Sequence, residues 1–177
     1  NINDLENSLE VINETFIKHL NPDIFICTCI KNKEEKEQYL KIISKYFKAK
    51  IIVLYNYNEH IDNVIENVTK KISTNNYKNA PQLRLFSQFN LLYNCNELKK
   101  SYEKENNFTY DLVIRMRTEL YYIRKIYDEE IEMTKKGFLC IQSAPEWGGL
   151  QHAYFYSNSE VMDKACSNWA TYSCFKK

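Results

Sequence analysis

Two arginines stand two residues apart in an otherwise apolar run, Tyr110-Asp111-Leu112-Val113-Ile114-Arg115-Met116-Arg117-Thr118-Glu119. Strand alternation places Leu112, Ile114 and Met116 on one face and Val113, Arg115, Arg117 and Glu119 on the other. Two guanidiniums and a carboxylate then project in a row from the carboxyl end of a strand, the edge at which open α/β sheets bind ligands. Burying unpaired charge is strongly unfavourable, so the row is paired internally, solvated in a cleft or matched to a ligand. Arg84, Arg115, Arg117 and Arg124 are the only arginines among 24 basic residues, yet two of them share this strand. The planar guanidinium fork suits bidentate phosphate recognition, whereas lysine offers a point charge.

A second group of polar residues follows the Pro145-Glu146-Trp147-Gly148-Gly149-Leu150 segment. Paired Gly148 and Gly149 mark a backbone that needs unusual angles or close approach to a ligand. Trp147 beside them either stacks on the apolar face of a sugar ring or anchors the loop in the core. Gln151 and His152 come next, and a neutral imidazole at His152 can act as base or metal ligand near neutral pH, or simply pack.

Composition removes several alternatives. With 3 glycines in 177 residues, neither a P-loop nor a Gly-x-Gly-x-x-Gly turn can be written. A formal net charge of +1, with acids and bases interspersed, supplies no basic field for nucleic acid. No apolar run approaches the length of a membrane span, and no signal peptide opens the sequence, so a cytoplasmic setting is expected, the host cytoplasm if the source is viral. The 6 cysteines lie mostly in apolar stretches and read as reduced thiols. Glu59-His60 with Asp62, and Asp128-Glu129-Glu130, read as solvated charge.

The elements that position these groups alternate. Ile2, Leu5, Leu9, Ile12, Phe16 and Leu20 step by three and four, one helical face ended by Asn21-Pro22. Asp23–Ile30 and Ile51–Tyr55 read as buried parallel strands around a helix through Tyr39, Leu40, Ile43, Tyr46 and Phe47. A helix is compatible with Ile61, Val64, Ile65 and Val68, and residues 73–79 read as a loop. A further helix runs from Pro81 to about Lys104. Strands are expected at Tyr110–Arg117, Phe138–Gln142 and Gln151–Tyr156, and Ser157 with Glu160 has the spacing of a capping box for a final helix. The pattern predicts one domain over residues 1–177, a three-layer α/β/α sandwich around a single, mostly parallel, Rossmann-like sheet. Because the sequence opens in a helical pattern, the first strand of such a sheet is expected upstream of residue 1.

These motifs resemble a group of glycosyltransferases seen in large DNA viruses and microbes. In that group a helix ending in Tyr-Glu, here Tyr102-Glu103, precedes Tyr-Asp-x-Val-x-Arg-x-Arg-x-Asp, here Tyr110 to Glu119. Gly149 to Met162 is similar to a second pattern, Gly-x-Asn-Asp-x-Phe-x-x-Gly-x-Ser-x-x-Met. The resemblance implies a glycosyltransferase-A-like fold that binds a nucleotide-sugar donor and passes its sugar to a glycan or other hydroxyl acceptor. Its Asp-x-Asp metal site falls on Arg117 and Glu119. Either Glu119 alone ligates Mn²⁺ or Mg²⁺, or Arg115 and Arg117 neutralise the diphosphate without a metal. Gln151-His152 stands where Asn-Asp is usual, so His152 and Glu119 are the catalytic candidates, and Trp147, Gly148, Gly149 and Gln151 would lie over the sugars. A catalytically inactive binding or assembly protein on the same fold is the alternative.

Overall fold

The computed structural model describes residues 2–71, 80–118, 124–141 and 153–167. Helix α1 runs from Ile2–Ile12 through a π-helical segment, Asn13–Ile17, to a last turn, Lys18–Leu20. Asn21 ends it in the left-handed conformation (φ 44°), which asparagine tolerates better than most side chains. Strand β1 (Phe25–Ile30), helix α2 (Lys33–Tyr46) and strand β2 (Ile51–Asn56) follow. The Asn32 side chain caps α2 by accepting the Glu35 N–H at 2.8 Å. Helix α3 spans Tyr57–Lys71 and helix α4 Ala80–Asn106. Asn107 (φ 55°) closes α4 with a Schellman pair, Phe108 N–H to Glu103 O at 3.1 Å and Asn107 N–H to Lys104 O at 3.4 Å. Strand β3 (Val113–Met116), helix α5 (Asp128–Lys135), strands β4 (Cys140–Ile141) and β5 (Tyr154–Ser157), and helix α6 (Ser159–Ser167) complete the order.

The fold is mixed α/β, with helices on both sides of the strands. On one side Leu9, Ile12 and Phe16 of α1 join Ile43 of α2 and Phe47, packed against Ile26, Ile52, Ile114 and Met116. On the other, Leu92 of α4 meets Phe155, Met162 and Cys166, with Val113 and Ile141 beside them. Ile114 and Met116 therefore face α1 while Val113 faces α4 and α6, the alternation expected of that strand.

The strands do not form one mostly parallel sheet. β1 and β2 pair in parallel, and β3, β5 and β4 form a separate antiparallel sheet in that order. The outer edge of β1 explains the break. Ile24 O accepts the Lys50 N–H on the β2 side, so Phe25 and Cys27 turn their backbone groups to the opposite edge. There α4 stands beside the strand, and the Cys95 thiol donates to Phe25 O at 3.5 Å. β1 and β2 are also less enclosed than their apolar runs suggest, with Ile30 alone of the two strands fully buried. A sheet two strands wide has no central strand to cover completely.

Two smaller differences concern polar residues. The cap of α6 is Asn158, whose Oδ1 accepts the Val161 N–H at 3.0 Å; Ser157 instead donates its hydroxyl to Phe138 O at 2.7 Å. The offset is one residue because Ser157 still belongs to β5. His60 is not solvated but 4% exposed, since α4 packs over it.

Candidate functional site

β1 and β3 start side by side, and α4 bridges the far ends of β2 and β3. Tyr110, just before β3, donates its phenol hydroxyl to Asp23, just before β1, at 2.6 Å. At the far end, α4 carries Ser87 and Gln88 side by side. Ser87 reaches His60, just beyond β2, and Gln88 reaches Arg117, just beyond β3. The carboxyl ends of β2 and β3 thus both meet polar side chains of α4.

Arg115 and Arg117 both meet Ala153, the residue just before β5. The Arg115 Nη1 donates to Ala153 O at 2.6 Å, and the Arg117 backbone N–H donates to the same oxygen at 3.1 Å. This extends the antiparallel register in which Arg115 opposes Phe155 and Met116 opposes Tyr154. The Arg117 Nη1 also lies 3.5 Å from the Gln88 amide oxygen. These contacts, with a backbone carbonyl and an amide oxygen, help to orient the two guanidiniums.

His60 and Ser87 add a buried polar pair, with Nε2 3.0 Å from Oγ and the Tyr55 ring centroid 5.5 Å from that of His60. Burial lowers the His60 pKa, opposed in part by a hydrogen bond from the ring to the Ser87 backbone carbonyl, so the neutral ring is favoured. Burial also raises the Tyr55 pKa. Little in the residue pattern signals this pair, because Ser87 and Gln88 sit between the apolar positions Leu85 and Phe89 of a helix. Their function depends on which elements α4 touches.

Glu119, Trp147, Gly148, Gly149, Gln151 and His152 lie outside the described residues. Of the residues expected at the site, the structure places Arg115 and Arg117, and it adds Gln88, Ser87 and His60 near them. Among the described residues no group of three or more His, Cys, Asp or Glu side chains could hold a metal ion. Among the described residues, the side chains placed here, Arg115, Arg117, Gln88, Ser87 and His60, are cationic or neutral, a set that suits an anion better than a hard divalent cation.

A family model covers residues 7–171, almost the entire chain. The chain belongs to the family described as a domain of unknown function, DUF7796. No curated protein and no solved structure matches it. Membership therefore assigns no chemistry to the DUF7796 fold, and the reading of the site rests on its own residues. Among the described residues, no helix is long and apolar enough to cross a membrane.

Proposed function

We propose that this DUF7796 chain transfers a sugar from a nucleoside-diphosphate donor to a hydroxyl acceptor, on a glycosyltransferase-A-like variant of its mixed α/β fold. The observation that carries the reading is the delivery of two guanidiniums, Arg115 and Arg117, to the carboxyl end of β3, where neutral oxygens orient them. In the transfer, the bond between the anomeric carbon and the diphosphate oxygen breaks, and a bond to the acceptor oxygen forms. Negative charge grows on the departing diphosphate, and fixed cationic donors stabilise that charge without reorganising. The acceptor loses its proton to a base, the role assigned to His152 or Glu119. Glu119 is also the residue on which Mn²⁺ or Mg²⁺ would rest. Trp147, Gly148, Gly149 and Gln151 would form the loop over the donor sugar and acceptor, and the cytoplasm is the proposed setting.

The second reading is a non-catalytic binding or assembly protein that retains an anion site. It is favoured by Arg117 standing where the resemblance places an acid, and by the cationic and neutral donors of the described site. Incubation with a panel of nucleotide sugars, with and without Mn²⁺, separates the two. Sugar transfer predicts released nucleoside diphosphate. A thermal shift without release identifies the binding protein, and neither effect with any donor overturns both.

A further inference from the structure

The contact between β1 and α4 contains chemistry that the proposed transfer does not use, and the inference does not depend on that transfer. Cys27 lies on β1 and Cys95 on α4, and both are free and half-buried. Cys95 sits on the outer edge of β1, donating to Phe25 O at 3.5 Å. The Cys27 thiol and the charge of Arg115 both act on it.

We propose that Cys27 and Cys95 are a redox-active thiol pair that closes to an intramolecular disulfide, fastening α4 to β1 next to Arg115. Phe25 and Cys27 share one face of β1, and Phe25 packs on Tyr102 of α4 with ring centroids 5.5 Å apart, so Cys27 faces the helix that carries Cys95. Cys95 is the attacking sulfur. Its pKa is lowered, first by the Cys27 thiol hydrogen bond and further by Arg115 and the Cys27 N–H, whereas burial holds Cys29 up at about 11 and Cys166 at about 12. The thiolate is the reactive form, which distinguishes Cys95 from those two.

With hydrogen peroxide as oxidant, the Cys95 thiolate attacks one peroxide oxygen and the O–O bond breaks. The departing hydroxide takes a proton to become water, leaving a sulfenic acid on Cys95. The Cys27 sulfur then attacks the Cys95 sulfur, and the hydroxyl leaves with the Cys27 proton as a second water. Two thiols are oxidised and one peroxide is reduced to two waters. Oxidised glutathione gives the same product through a mixed disulfide, releasing two glutathione thiols.

The test uses the full chain, treated with hydrogen peroxide or oxidised glutathione, alkylated and digested without reduction for mass spectrometry. The expected result is a peptide joining Cys27 to Cys95, absent after dithiothreitol. Cys27→Ser should abolish the cross-link and leave a dimedone-reactive sulfenic acid at Cys95, and Cys95→Ser should abolish both signals. Circular dichroism monitors folding, and the Cys27→Ser labelling decides the matter should Cys95→Ser fail to fold. Full alkylation of both cysteines after oxidant, over-oxidation of Cys95 with Cys27 intact in the unsubstituted chain, or a cross-link through another cysteine would overturn the proposal.

Discussion

His60 Nε2 lies 3.0 Å from Ser87 Oγ in the contact between α3 and α4. Burial lowers the His60 pKa, so the unfolded chain takes up the proton first as the medium is acidified. This contribution to stability is complete above the ordinary histidine value of about 6.5. It is lost as pH falls from there through the folded value, below which both states are protonated and the slope vanishes. Urea denaturation across mildly alkaline to mildly acidic buffers should show that decline, and His60→Gln should flatten it. An unchanged slope in the variant would place the acid sensitivity elsewhere.

Arg117 should matter more for ligand than for fold. Its guanidinium lies 3.5 Å from the Gln88 amide oxygen, and its backbone N–H holds Ala153 O whatever the side chain. Arg117→Ala should weaken nucleoside-diphosphate binding at least tenfold, about 1.4 kcal/mol, with stability changed by less than about 1 kcal/mol. Arg117→Lys should recover only part of the affinity, because a point charge cannot reproduce the fork. Calorimetric titration with a nucleoside diphosphate measures both, and wild-type affinity in Arg117→Ala would end the assignment.

Local patterns carried much of this fold. The steps from Ile2 to Leu20 and from Leu85 to Tyr102 gave α1 and α4, and the alternation around Arg115 correctly separated Ile114 and Met116 from Val113. What failed was the pairing of strands. A sequence shows that Phe25 and Cys27 lie in a strand, but not that the Cys95 sulfur takes the edge where a neighbouring strand would bond. Nor does it show that β5 runs antiparallel to β3. The candidate site was legible to the same extent: Arg115 and Arg117 were visible as an anomaly of composition, whereas Gln88, Ser87 and His60 gain their meaning from non-local packing.

Asn158 joins two helices. Its Oδ1 caps α6 through the Val161 N–H, and its Nδ2 donates to Thr134 O near the end of α5, both at 3.0 Å. Asn158→Ala should cost about 1–2 kcal/mol, as loss of a side-chain cap usually does. Asn158→Asp keeps the capping oxygen but loses the donor, so it should fall between the two in chemical denaturation. An aspartate variant as unstable as the alanine one would show that the Thr134 contact dominates.

Lys99 supports the same first turn of α6 from the α4 side. It is 4% exposed, with Nζ 3.0 Å from Glu103 Oε2 and 2.9 Å from Asp163 Oδ1, and it donates to the Ser159 hydroxyl. Glu103 in turn accepts the Tyr110 N–H at 2.8 Å, and Asp163 accepts from Asn96 at 2.9 Å, so α4, α6 and the approach to β3 meet on one ammonium. Lys99→Met should cost about 3–5 kcal/mol, mostly because Glu103 is left charged and enclosed without its partner. Adding Glu103→Gln removes that stranded charge while keeping an oxygen for the Tyr110 N–H. The double variant should therefore be more stable than Lys99→Met alone. Denaturant midpoints for the wild type, both singles and the double close the cycle. Strictly additive losses would mean that the pair does not couple and that Lys99 acts through Asp163 and Ser159 instead.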